Sequence, residues 1–240
     1  MSRILPILFN TEMVQAILDD RKTATRRVIH QEKYLGVLQS PSRQCNPEIP
    51  DEYYIKQLVN PPYEVGDTLY IRETWAFQCC IDCMNIYEDD SCMIGKTSTI
   101  HEDKDASSEG CYIYRADHPH PERIIWRPSI HMPKVAARTW LEVTDVKIQR
   151  LQEMTLDDFI KEGVLPEGPE ECNCTWKHSG CPESSCTNRV AYLLERYKLP
   201  FSHLWDSTIP KELREIYGWA ANPWVTATEF KKCAKPESEG

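Results

Sequence analysis

The chain has 240 residues, with 28 Lys and Arg against 37 Asp and Glu, a formal charge of −9 and a pI near 5.3. That length suits one domain carrying insertions, since domains run about 100 to 200 residues, and 41% hydrophobic with 10% aromatic side chains excludes a disordered chain. The acidic balance excludes broad coating of nucleic acid, which needs Lys and Arg along a phosphate track, and leaves room for a local basic pocket. No run approaches the roughly 20 apolar residues of a membrane span, and the N-terminus lacks the apolar stretch and cleavage site of a secretory signal. A cytoplasmic protein with no membrane partner is expected. The eleven cysteines cluster as Cys79, Cys80, Cys83 and Cys92, then Cys172, Cys174, Cys181 and Cys186, with Cys45, Cys111 and Cys233 apart. Without a secretory signal such clusters read as metal ligands or reduced thiols before disulfides.

Ile4 to Phe9 has strand length, and Pro6 places it at a sheet edge. Thr11 can cap the helix that follows, where Met13, Val14, Ile17 and Leu18 repeat at helical spacing as far as Asp20. Arg21 to Arg27 then sets four cations and two hydroxyls in seven residues. Residues 31–62 are polar and Pro-rich, a loop-rich excursion. After a turn at Gly66-Asp67, Thr68 to Glu73 alternates, with Leu69, Ile71 and Glu73 on one face. A carboxylate closing an apolar face needs a cation or donors nearby, which makes Glu73 a first candidate functional residue.

Residues 78–110 read as an insertion, followed by a strand from Cys111 to Arg115 and an irregular stretch from Trp126 to Pro133. Arg138 to Leu151 carries the strongest strand pattern. Leu141 and Val143 share one parity and Val146 and Ile148 the other, so a bulge near Thr144-Asp145 would keep both pairs inward and suit a curved barrel. Thr155 starts a short helix with Leu156, Phe159 and Ile160 inward and Gly163 as its stop. Residues 166–187 form a second Cys-rich insertion. Val190 to Tyr197 marks a helix closed by Pro200, then come Ser202 to Ser207, a short helix after Pro210 and a strand from Pro223 to Phe230. Residues 234–240 read as a solvated tail.

Asp20 to Arg27 and Arg72-Glu73-Thr74-Trp75 resemble the ASCH family, whose motif is G-x-K-x-x-[TE]-x-R with an acidic residue later on a core strand. Pro62 to Asp67, Trp126 to Pro133, Leu204 to Ser207 and Ala221 to Trp224 carry further likeness, so the resemblance spans most of the chain and is strongest to prophage-encoded members. The family glycine is Asp20 here, a residue that tolerates left-handed backbone better than most. The resemblance implies an α+β to mainly β fold: a PUA-like small β-barrel with flanking helices and two Cys-rich insertions, one domain over residues 1–233. It also implies a nucleoside or short RNA as partner. Some small bacterial members hydrolyse the amide of N4-acetylcytidine with a Lys, a Thr and a Glu that map onto Lys22, Thr25 and Glu73.

Those residue types suffice for amide hydrolysis, with Lys22 as base for Thr25, or with Glu73 as base and Lys22 stabilising the oxyanion. A helical turn would put Lys22 and Thr25 on one side, and Lys22 Nζ is expected within reach of Glu73. The bland alternative is a buried Lys22–Glu73 pair that only holds the fold. Arg26 and Arg27 are candidates for phosphate contact or for snorkelling over the barrel rim, Arg72 for ligand binding, and Trp75 and Trp126 for base stacking or for plain core. His118, His120 and His131 read as surface residues. Cys172, Cys174, Cys181 and Cys186 are candidate ligands of a structural zinc, with His178 or a cysteine of residues 79–92 as replacement, or else free thiols. No cofactor is expected in catalysis. Three functions stay open: an amidohydrolase of N4-acetylcytidine, a non-catalytic RNA-binding module, or a phage-encoded interaction protein built on zinc-stapled insertions.

Overall fold

A computed structural model describes residues 2–46, 48–79, 101–102, 109–117, 124–167 and 187–236. Its strands are β1 (Ile4–Leu8), β2 (Ala24–Val28), β3 (Thr68–Arg72), β4 (Trp75–Cys79), β5 (His101–Glu102), β6 (Glu109–Tyr114), β7 (Trp140–Arg150) and β8 (Trp224–Cys233). The helices are α1 (Thr11–Leu18), α2 (Gln31–Leu38), α3 (Pro41–Cys45), α4 (Asp51–Leu58), α5 (Leu156–Lys161), α6 (Thr187–Thr208) and α7 (Arg214–Tyr217). Among the described residues no helix is long and apolar enough to cross a membrane.

The chain divides into two compact units, each built from separated stretches. The first holds Met1–Leu18, Thr68–Glu142 and Lys232–Gly240. In it β1 runs parallel to β3, Ile4 opposite Thr68, and β3 pairs antiparallel with the start of β7, Leu69 opposite Leu141. Pro6 has no N–H to donate, which suits a strand with a neighbour on one side only. Leu69, Ile71 and Leu141 are fully buried, as their alternation predicts. The cap of α1 is Asn10 and not Thr11: Asn10 Oδ1 accepts from the Met13 N–H at 2.8 Å. β4, β6 and β5 form a second sheet in that order, over a cluster of Trp75, Met132, Ala136, Ala137 and Trp140.

The second unit holds Asp19–Asp67 and Val143–Lys231. There β2 pairs antiparallel with β8, Ala24 opposite Glu229 and Val28 opposite Val225. Leu151, Met154, Phe159, Phe201, Trp205 and Val225 form one core cluster, and Ile29, Ile55, Val59 and Trp224 another. Between residues 31 and 62, where the sequence predicts a loop-rich excursion, lie α2, α3 and α4. Tyr34, Val37 and Leu38 pack on the Ile29–Trp224 cluster together with Ile55 and Val59, and their i, i+3, i+4 spacing was the overlooked signal.

Hydrogen bonding orders five strands β1-β3-β7-β8-β2, with β7 contributing to both units. The result is a mixed α+β fold of a five-stranded sheet with helices. Among the described strands the order runs from β1 to β2 without closing, so the closed barrel expected from the bend in β7 is not what the hydrogen bonds give. The bend itself has a counterpart: the exposed residues Thr144 and Lys147 are three apart, so alternation slips by one residue at the expected place.

Candidate functional site

Asp20 follows α1 with φ at +58°, the left-handed region that glycine favours, and so makes the turn that leads to Lys22. The segment of residues 21–23 has no regular structure and leads directly into β2. Thr23 fastens it: its N–H donates to the Lys161 carbonyl at 2.7 Å, and its own carbonyl accepts from the Phe230 N–H at 2.8 Å. Thr25 lies in β2 and Lys22 just before it, so no helical turn joins them, contrary to the expectation from their spacing. In β2 Arg26 lies opposite Ala227 and Thr25 opposite Thr228. Alternation puts Thr25 and Thr228 on the face away from Arg26. Thr25, Thr226 and Thr228 are all buried.

Lys22 is 3% exposed. Its Nζ donates to Glu162 Oε2 at 2.5 Å and to the Glu162 carbonyl at 3.1 Å. Arg26 donates through Nη1 to the other oxygen of the same carboxylate at 2.9 Å, and through Nη2 to Asp158 Oδ1 at 2.5 Å. The ends of α5 place these carboxylates. Thr155 caps its start, and Asp158 Oδ2 accepts from the Thr155 N–H at 2.9 Å and hydroxyl at 2.8 Å. Glu162 is the C-cap residue, followed by Gly163 at φ +77°. Four residues apart, Asp158 and Glu162 lie on one side of the helix, where the two cations of the β2 segment meet them.

Burial pushes the Lys22 amine below the ordinary lysine range; the Glu162 carboxylate works against that, and Arg27 and Arg26 add to it. Burial alone would raise Asp158, but the bonds from Thr155 and the charge of Arg26 outweigh it and hold that carboxyl below its usual range.

The other group of expected site residues lies in the first unit. Glu73, just past β3, is 1% exposed. Its carboxylate accepts from Arg138 Nε at 2.9 Å and Nη2 at 3.0 Å, a two-point fork. Arg138 also bonds Asp117 through Nη1, and its guanidinium lies 4.1 Å from the centre of the Tyr114 ring. Burial pushes the Glu73 carboxyl up, and Arg138 pulls it back. The cation that Glu73 required is thus Arg138. Lys22 and Glu73 belong to different units, and each forms the ion pair described here inside its own unit.

Arg72 bonds the Ile130 carbonyl through Nη2, and its buried Nε has no hydrogen-bond partner among the described residues. Trp75 is a core residue: it packs against Met132 and Trp140, and the Arg127 guanidinium covers its ring at 5.1 Å. Trp126 is half-buried. Cys172, Cys174, Cys181 and Cys186, with His178, His118 and His120, lie outside the described residues. Among the described residues no three or more His, Cys, Asp or Glu side chains group as a metal site. Sequence reasoning did not find Glu162, Asp158 or Arg138. The signal for the first two was their i, i+4 spacing beside a cation-rich strand; for Arg138 it was the unpaired charge of Glu73.

A crystal structure of an ASCH domain from Lactobacillus crispatus JV V101 is similar to this chain at 11% identity, over 96% of this chain and 79% of that one, with a TM-score of 0.33. At that level the likeness places no residue of the site. No protein-family model and no curated protein matches the chain.

Proposed function

We propose that this chain is a nucleoside- or short-RNA-directed protein of the ASCH type, with a PUA-like architecture. In its most concrete form it hydrolyses the exocyclic amide of N4-acetylcytidine. The motif carried by Lys22, Thr25 and Glu73 motivates the reading, and one observation supports its chemistry: Lys22 is buried in a setting that weakens its hold on a proton. A lysine serves as a base only when its pKa is depressed. Glu73 is less suited to that role, because Arg138 engages both of its oxygens.

Lys22 would take the hydroxyl proton of Thr25 as Oγ attacks the acetyl carbon. The C–N bond then breaks, the proton passes to the departing cytidine nitrogen, and water hydrolyses the acyl-threonine to acetate. A non-catalytic binding module is the second reading. It is favoured by the ties of Lys22 and Arg26 to Glu162 and Asp158, and by Thr25 facing away from Arg26.

Release of acetate from N4-acetylcytidine decides between them. Hydrolysis requires turnover by the wild type, and loss of about 100-fold or more in Thr25→Val, which removes the nucleophile at nearly constant volume, and in Lys22→Ala. Calorimetric binding of the nucleoside without acetate release selects the binding module. A Thr25→Val enzyme at the wild-type rate ends the hydrolase mechanism, and absence of both binding and turnover ends the nucleoside reading.

A further inference from the structure

We infer that Glu162 is a positioning residue for Lys22, one carboxylate that sets both the direction and the charge state of the amine by being shared with Arg26. The inference concerns the site proposed above and rests on the reading that Lys22 is its working amine. Three features of the geometry carry it. First, Glu162 holds Lys22 at two points, through its side chain at 2.5 Å and its backbone carbonyl at 3.1 Å, so the Nζ position is fixed relative to one residue. Second, the same carboxylate gives its other oxygen to Arg26 at 2.9 Å, so its charge is divided between two cations. A carboxylate given to Lys22 alone would favour the protonated amine more strongly.

Third, Glu162 is itself immobilised. It is the C-cap of α5, its N–H donates to the Asp158 carbonyl at 3.0 Å, and Gly163 turns the chain away behind it. Asp158 completes the arrangement from the same helix by occupying the second nitrogen of Arg26 at 2.5 Å.

Charged residues next to the site in sequence have partners of their own. Lys161 is turned to Asp157 and Glu229, and Arg21 to Asp19. Arg26 and Arg27, both on β2, press Lys22 towards the neutral amine, and Glu162 opposes them. Removal of the Glu162 charge takes away the carboxylate that touches Lys22 Nζ and must lower its titration midpoint.

The test needs no substrate. The full chain is prepared with 13C-labelled lysine, the Lys22 Cε signal is identified by its loss in Lys22→Arg, and its shift is followed against pH. Glu162→Gln is expected to lower the midpoint by about 1 to 3 on the pH scale, the range for loss of an adjacent opposite charge. Asp158→Asn, which removes a carboxylate that touches Arg26, is expected to move it by less than half as much. Glu162→Asp keeps the charge one methylene further back, so its midpoint falls between wild type and Glu162→Gln, and it serves alone if the glutamine variant fails to fold.

An unmoved midpoint in both Glu162 variants overturns the inference, as does an equal shift in Asp158→Asn. Melting temperatures of the same variants report the structural contribution of Glu162 separately from the charge it places beside Lys22. The titration stands apart from turnover: ordered midpoints with no acetate release would uphold the inference and end the hydrolase reading.

Discussion

Asp20 occupies backbone that an ordinary side chain enters only at a cost of roughly 1 to 2 kcal/mol, because Cβ crowds the following carbonyl. At φ +58° it turns the chain out of α1, two residues before Lys22, which reaches Glu162. Asp is among the residues that tolerate this region. We therefore expect Asp20→Gly to stay within about 1 kcal/mol of wild type in urea unfolding, and Asp20→Val to be destabilised by about 1 to 2 kcal/mol. A valine variant as stable as wild type would show that the turn is not strained. The residue scale is also where the sequence was most informative about the site. It marked Lys22, Thr25, Arg26 and Glu73, all four of which are buried. It did not reveal their partners, since Glu162 lies 140 positions from Lys22 and Arg138 lies 65 from Glu73; burial of a charge demands a counter-charge and does not say where along the chain it sits.

At the scale of elements, strands were legible and helix limits were not. β1, β3, β7 and β8 fall where alternation and turn residues put them, because period-two burial is written locally. α6 is the instructive failure. Pro200 was expected to close a helix near Tyr197, yet α6 runs from Thr187 to Thr208 with the proline inside it. Proline removes one N–H and leaves the carbonyl four residues back unfilled. That carbonyl belongs to Arg196, and the Glu167 N–H donates to it at 3.1 Å while Arg196 Nε donates to the Glu167 carbonyl at 3.0 Å. Beyond the proline, Phe201 and Trp205 are seated in the core beside Phe159. Tertiary bonds that no local pattern encodes thus carry the helix across its breaker.

Because the freed carbonyl is already satisfied, what remains of the proline penalty is ring crowding, offset in part by the entropy proline removes from the unfolded chain. Pro200→Ala should stabilise by about 1 to 2 kcal/mol, less than the full ~3 kcal/mol helix preference. A loss of more than about 1 kcal/mol would show instead that Phe201 and Trp205 need the local geometry the proline imposes.

At the scale of the whole molecule, charge limits how nucleic acid can be held. The formal charge is −9, so long-range attraction to a polyanion is absent and any RNA must be held by a few local contacts. The one dense basic run, Arg21 to Arg27, is largely committed. Arg21 pairs with Asp19 at 3.0 Å, Lys22 with Glu162, and Arg26 with both Glu162 and Asp158. Cations held by carboxylates release few counterions on meeting phosphate, and counterion release is what makes affinity depend on salt, with a slope of about −0.7 per phosphate neutralised on a single strand. With no more than about three phosphates engaged, the logarithm of affinity should fall with the logarithm of salt at a slope of about −2 or shallower. Between 50 and 200 mM salt the affinity for a short single strand would drop roughly 16-fold or less, where a protein with six to ten phosphate contacts loses about 10³ to 10⁵ on duplex DNA. Fluorescence anisotropy of a labelled oligoribonucleotide across that salt range measures the slope directly. A value of −4 or steeper would mean that carboxylate partners such as Glu162 and Asp158 yield their arginines and lysine to phosphate, and that recognition runs along the backbone of the RNA. A shallow slope would leave base and sugar contacts in a local pocket as the source of affinity.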